Sequence, residues 1–317
     1  MTTIQSNCLK KDKIMRFIII FFIVFLLQSN TILLANQIKS LSQENLKKTR
    51  ETYLGKTIPH CLDIEPKLMQ ISISYYSMDN KVKQDGLIIV HKVVAKRVAK
   101  IFEELLATKF NIFGIDPFKG FIIKNNEIIV DDNYNYSGSY ACRNMVGKAV
   151  PSRHSLGLAI DINPLFNPFL QINAQTKAIE NIVPKDGIFY LNRDTIRPNK
   201  PARFGIITKD IVKIFAQNGF TTWGGYWDFP LDYHHFELSA NLSGLLVSMS
   251  DEDAEKLFEM HIDYFNKNND VSADKIPAGR ELITAILNHF NTDDITKAID
   301  TYKKNPKQFM LDISKIY

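Results

Sequence analysis

The 317-residue chain is poor in cysteine, with three, and in tryptophan, with two, and it contains no internal repeat and no low-complexity segment. Those absences leave an ordinary globular composition, 45% hydrophobic and 23% charged. Charge of one sign is also scarce. The formal net charge is +5, and Lys10, Lys11, Lys13 and Arg16 against Asp12 supply most of it, leaving about +2 for the remainder. A balance so close to neutral gives no basis for a nucleic-acid partner.

The long apolar run is confined to Phe17–Leu27, behind that basic cluster and ahead of the small residue Ala35. This order reads as a secretory signal over residues 1–35. The run is short for a membrane span, which needs about 20 apolar residues, although adding Thr31 to Ala35 keeps an uncleaved anchor open. Met15 is a second candidate start. Export, to the periplasm, the cell envelope or the medium, makes the cysteines informative. Cys8 leaves with the leader, and Cys61 and Cys142 remain as an even pair in a compartment that permits disulfides.

Residues 36–60 are polar and lysine-rich, a linker or helix. Ile71 to Tyr76 alternates as a half-buried strand, with Gly86 to Val90 as its hairpin partner. Apolar residues from Val93 to Leu106 recur at helical spacing within His91–Lys109. Phe121–Ile123 and Ile128–Val130 are short strand candidates, followed by a tyrosine-rich loop from Asp131 to Tyr140. Leu165 to Asn192 is an insertion too long for a bare connector. Thr208–Gln217 reads as a helix and Phe220–Trp227 as a strand. Beyond Leu238 the pattern turns helical, with segments at Ala254–Phe265, Pro277–Phe290 and from Thr292 to about Lys304. This tail carries no chemical motif.

Chemistry concentrates in two segments. In Ser152-Arg153-His154-Ser155-Leu156-Gly157-Leu158-Ala159-Ile160-Asp161, a loop histidine precedes an aspartate inside an apolar strand. A carboxylate among Leu158, Ala159, Ile160 and Ile162 is costly to bury unless something pairs with it, and a metal ion would do so. Zinc takes imidazole and carboxylate together, and a catalytic zinc needs three protein ligands. The third is expected in Trp223-Gly224-Gly225…Asp232-Tyr233-His234-His235-Phe236-Glu237. Asp232 and His235 lie three residues apart, so a tight turn can aim both at one ion, with His235 binding and Asp232 taking a proton from water. His234 is the rival ligand, and only the Asp-x-x-His spacing picks out His235; on an extended segment the two would face opposite ways, so both cannot easily reach one ion. Glu237 shares a strand face with His235 and is the rival base, or else orients that ligand from behind.

Ser-x-His-x-x-Gly-x-Ala-x-Asp followed by Trp-Gly-Gly…Asp-x-x-His-Phe resembles the zinc D-alanyl-D-alanine carboxypeptidase family, which includes VanY-like enzymes and phage L-alanyl-D-glutamate endolysins. The resemblance runs from about Cys61 to Leu238. It implies one Zn2+ held by His154, Asp161 and His235, and Asp232 as base in the endolysin-like manner. It implies Arg143 as the cation at the developing oxyanion, where a surface arginine is the alternative. Ser152 would bind a substrate carboxylate or merely cap the loop. A Cys61–Cys142 bridge also follows from the resemblance, with two buried thiols as the alternative.

The expected fold is α+β: a small antiparallel sheet with flanking helices carrying a mononuclear zinc site, plus a C-terminal helical extension. Residues 1–35 would be the leader, 36–60 the linker, 61–244 the peptidase domain and 245–317 the extension. The expected function is an exported zinc peptidase cutting peptidoglycan stem peptides, with membrane contact only through an uncleaved leader. Two other readings stay open: a zinc-stabilised binding module without turnover, and a protein partner bound through the C-terminal helices.

Overall fold

Ile71, Ile73 and Tyr75 alternate along one strand and all three are buried, as are Ile88 and Val90 on its neighbour. The helix that covers them brings Val94, Val98, Ile101, Phe102 and Leu105 at three- and four-residue spacing, and these too are fully or almost fully enclosed. Each such side chain contributes about 1.5–3 kcal/mol by leaving water. This layer is the floor on which the site is built.

The computed structural model describes residues 36–53, 59–119, 121–124, 127–145, 148–268 and 281–317. The expected leader, Cys8, residues 54–58 of the expected linker and the side chain of His60 lie outside the described residues. Among the described residues, no helix is long and apolar enough to cross a membrane.

In chain order, β1 (Gln37–Ser40), α1 (Gln43–Tyr53) and α2 (Pro59–Ile64) lead to the hairpin β2 (Leu68–Ser77) and β3 (Val82–His91), and α3 (Ala95–Ala107) follows. β2 pairs antiparallel with β3 along its length. Its other edge takes β1 antiparallel and then β4 (Asn111–Ile112) in parallel. The hairpin β5 (Phe121–Lys124) and β6 (Glu127–Val130) stands as a sheet of its own. Next come β7 (Ala159–Asp161), β8 (Phe169–Ile172), β9 (Ile179–Val183), α4 (Lys209–Gln217), β10 (Thr222–Trp223), β11 (Leu231–Asp232) and β12 (His235–Glu237). They form two three-stranded sheets, ordered β10-β12-β7 and β11-β8-β9.

Helices α5 (Ala240–Ser248), α6 (Asp251–Asn268), α7 (Leu282–His289), α8 (Ile295–Lys304) and α9 (Pro306–Ile316) complete the chain. They share one continuous apolar core with the sheet: Leu257, Phe258, Ile286 and Ile313 belong to the same buried cluster as Ile71 and Phe102. Lys92, Lys96 and Arg97 pair with Asp251, Glu255 and Glu259 along the seam between α3 and α6. Exposed pairs of this kind add little stability, so the buried apolar surface carries the attachment.

The structure fills in three local expectations. Within residues 36–60, expected as a linker or helix, Gln43–Tyr53 form the helix α1 and Gln37–Ser40 add the strand β1, which has a single apolar residue, Ile38, and owes its conformation to backbone pairing with β2. The Phe220–Trp227 strand is only two residues long, because Gly224–Tyr226 turns into a short 3-10 segment. The 165–192 insertion contains the β8–β9 hairpin and a 3-10 turn at Lys185–Tyr190.

Candidate metal centre

Pairing of β7 with β12 sets Asp161 directly opposite His235 and Ala159 opposite Glu237. Opposed residues share a face of a sheet, so the Asp161 and His235 side chains project together. Glu237, two positions along, projects the same way. His154 arrives on a 3-10 turn, Arg153–Leu156, that closes on Gly157 with φ of +66°. A Cβ at Gly157 would stand 2.5 Å from the His91 backbone nitrogen. In the space it leaves, the His91 N–H donates to the Gly157 carbonyl at 2.9 Å. The metal loop is thereby tied to the end of β3.

Three donor atoms converge. His154 Nε2 lies 3.1 Å from His235 Nδ1 and 3.2 Å from Asp161 Oδ2. His235 Nδ1 lies 3.1 Å from Asp161 Oδ1. A tetrahedral ion with ligands at about 2.0–2.1 Å holds them about 3.3 Å from one another, so this triangle fits zinc. Among the described residues, His154, Asp161 and His235 form the one group of metal-ligating side chains close enough to share an ion. The far nitrogens fit as well. His154 Nδ1 faces the Ser139 carbonyl at 2.6 Å, and His235 Nε2 faces Glu237 Oε2 at 3.0 Å. Anchors of this kind fix a ligand imidazole's tautomer and orientation.

The electrostatics favour a cation. Burial opposes charge on His235, yet hydrogen bonds to Asp161 and Glu237, with the Asp161 and Asp232 charges, push its pKa up to about 10. Burial would raise Asp161, but the charges of His154 and His234 hold it well below the usual carboxylate range. Glu237 is likewise lowered: burial is outweighed by the hydrogen bond to His235 and by Arg153 and His154. The proton held on His235 adds positive charge beside the Asp161 and Glu237 carboxylates.

Asp232 stands beside this group rather than in it, at the end of β11 with its side chain 14% exposed. The Trp-Gly-Gly motif accounts for its place. A Cβ on Gly224 would meet the Asp232 carbonyl at 2.5 Å, and one on Gly225 would meet the Trp223 ring at 2.3 Å. Trp223 in turn donates from Nε1 to the Tyr233 carbonyl at 2.9 Å. Two glycines thus let the indole brace the turn that carries Asp232. Trp227 forms a wall, its ring centroid 5.5 Å from that of His235.

Ser152 is buried and its hydroxyl accepts from the His154 N–H at 3.3 Å, which is the capping alternative. Arg143 is half-buried. Its carbonyl accepts from the Ser152 N–H at 3.1 Å, and its guanidinium donates to the Asn144 carbonyl at 3.4 Å. Cys61 and Cys142 are bridged, with Cα atoms 5.9 Å apart, which fastens the segment before the metal loop to α2. His91, His261 and His289 lie outside the donor group.

Sequence reasoning missed Arg153, whose Nε lies 3.8 Å from Glu237 Oε2. It also missed Ser139, which acts through a backbone carbonyl that any residue would supply. His235, picked over His234 by the Asp-x-x-His spacing, is the one in the donor group, and His234 precedes β12, in the turn, where strand alternation does not hold. Its Nε2 lies 3.1 Å from Asp232 Oδ1 and 3.8 Å from Asp161 Oδ2.

Residues 146–238 match the family model described as D-alanyl-D-alanine carboxypeptidase. Over that segment the family resemblance is shown. The matched residues include His154, Asp161, Asp232 and His235. No curated protein and no solved structure matches the chain. The match to the D-alanyl-D-alanine carboxypeptidase family, together with the His/Asp/His group, indicates a metallopeptidase of the zinc-dependent kind.

Proposed function

We propose that this chain is an exported zinc peptidase that hydrolyses peptide bonds in peptidoglycan stem peptides, of the L-Ala-D-Glu endopeptidase or D-Ala-D-Ala carboxypeptidase type. The observation that carries this reading is the convergence of His154 Nε2, His235 Nδ1 and Asp161 beside a carboxylate, Asp232, that is not needed as a ligand.

His154, Asp161 and His235 would hold the ion. A zinc ion bound there would supply a Lewis acid and lower the pKa of its water toward neutrality. Asp232 accepts the proton of the attacking water and passes it to the leaving amine. Arg143 shares the negative charge that develops on the carbonyl oxygen. Glu237, between His235 and Arg153, keeps the His235 ring turned toward the ion. The half-buried Trp227 lines the approach. Export rests on the basic and apolar pattern of residues 1–35.

Incubating the purified protein with muropeptides, with and without a chelator, tests this. The expected result is chelator-sensitive cleavage, with product masses that name the bond. Cleavage that survives the chelator would contradict it, and binding without cleavage would favour the module without turnover.

A further inference from the structure

Asp232 and the candidate ligands stand on different sheets. Asp232 ends β11 and pairs with Phe169 of β8, whereas Asp161 and His235 face each other across β7 and β12. Only Tyr233 and His234 join the two. His234 already belongs to the ligand side, its carbonyl accepting from the Ile162 N–H at 3.0 Å. The bend between the sheets therefore falls at Tyr233.

Tyr233 is held on three sides. Its N–H donates to the Pro168 carbonyl at 3.3 Å, and its carbonyl accepts from Trp223 Nε1 at 2.9 Å. Its ring lies under the Arg193 guanidinium, whose central carbon stands 4.4 Å from the ring centroid.

Arg193 follows directly on the 165–192 insertion and closes its neck. Nη1 donates to the Phe166 carbonyl at 2.9 Å, and Nη2 donates to Asn167 Oδ1 at 2.7 Å and to the Ile207 carbonyl at 3.1 Å. Asn167 is fully buried, and its Nδ2 donates to the carbonyls of Ile162 and Asn163, just past Asp161. Among the described residues no carboxylate pairs with Arg193. Oxygen acceptors and the negative face of an aromatic ring stabilise such a cation instead, and a planar fork meets both at once where a lysine would not. Arg193 thus reaches the turn behind Asp161 through Asn167, and the residue after Asp232 through the Tyr233 ring.

We propose that Arg193 is a positioning residue for the reaction: by holding the Tyr233 ring at the bend, it sets the Asp232 carboxylate against the metal ligands. This rests on the reading of Asp232 as the base.

Two replacements at Tyr233 separate this role from general support of the fold. Tyr233→Leu removes the ring and leaves every hydrogen bond of Arg193 in place, while Tyr233→Phe keeps the ring. Metal-free crystal structures are expected to show the Asp232 carboxylate shifted by about 1 Å from Asp161 and His235 in Arg193→Met and Tyr233→Leu. In Tyr233→Phe it should stay in place. On the muropeptide that the wild type cleaves, Arg193→Met and Tyr233→Leu are each expected to lose roughly 100-fold in kcat, as for a misplacement of that size. KM and zinc affinity should change little, because β7 and β12 are untouched. The combined variant should lose about as much as either one, since both remove the same contact. Tyr233→Phe should keep most of the rate.

An undisturbed Asp232 in Arg193→Met and Tyr233→Leu would overturn the proposal. So would losses that multiply in the combined variant, or a fall in zinc affinity as large as the fall in kcat. If Arg193→Met does not fold, Tyr233→Leu against Tyr233→Phe decides, and equal rates with equal Asp232 positions would overturn it. Asp232→Ala, assayed in parallel, reports on the base alone. Full activity there would remove the base, while the metal-free structures still decide whether Arg193 sets that carboxylate.

Discussion

Nε2 of His235 lies 3.0 Å from Oε2 of Glu237, two residues further along the same short strand. The contact leaves Nδ1 as the nitrogen turned toward Asp161 and His154, and Arg153 backs the carboxylate from 3.8 Å. Glu237→Gln keeps the shape and removes the charge. Loss of such a partner costs about 10–100-fold in metal affinity. A competition titration against a chromophoric chelator is expected to show a loss of that size with the fold intact. Unchanged affinity would mean that the contact does not tune the ligand.

The pH dependence of metal binding has a definite sign. With the His235 pKa pushed up to about 10 in the metal-free protein, the ring is protonated throughout the neutral range. A metal must displace that proton, so apparent affinity should rise with pH, about tenfold per unit below pH 10 if one proton is released. Calorimetry in buffers of different ionisation enthalpy should record about one proton released per zinc at pH 7. Affinity that falls as pH rises would contradict the charge balance described for the site.

Cys61 and Cys142 are separated by 81 residues and tie α2 to the segment ahead of the metal loop. In the chain-entropy account, opening a loop of that length costs about 4 kcal/mol. The Cys61→Ala, Cys142→Ala double variant is expected to unfold at a clearly lower temperature. It should still bind zinc at low temperature, since neither sulfur belongs to the donor group. Zinc loss with no change in melting temperature would contradict this.

Gly157→Ala is expected to be severe. At φ of +66° an L side chain is strained by about 1–2 kcal/mol, and its Cβ would press on the His91 nitrogen and the Val90 carbonyl carbon. Both zinc affinity and melting temperature should fall together, because the same loop carries His154.

The donor group was legible because each member lies in a short pattern whose spacing is set by local structure. His154 and Gly157 share one 3-10 turn, Asp161 ends the strand that follows, and Asp232 and His235 flank a two-residue turn. The β2–β3 hairpin and α3 were legible for a related reason, since their apolar periods match strand and helix. β1 escaped because backbone pairing, not side-chain pattern, makes it a strand. Ser139 escaped because it acts through its carbonyl. His235 is told from its neighbour His234 by the Asp-x-x-His spacing, whereas the approach of the His234 ring to Asp232 is set in the turn before β12, where strand alternation does not hold. The Trp-Gly-Gly segment was read as a strand, whereas its glycines serve to let Trp223 and Asp232 pack closely.

If segments 152–161 and 232–237 close around one divalent ion, anomalous diffraction at the zinc edge from zinc-loaded crystals will show it. A single peak per chain is expected in contact with His154 Nε2, His235 Nδ1 and an Asp161 oxygen, with Asp232 nearby and unbound, and no peak in His235→Ala. Zinc bound elsewhere, or a peak that survives loss of His235, would contradict it.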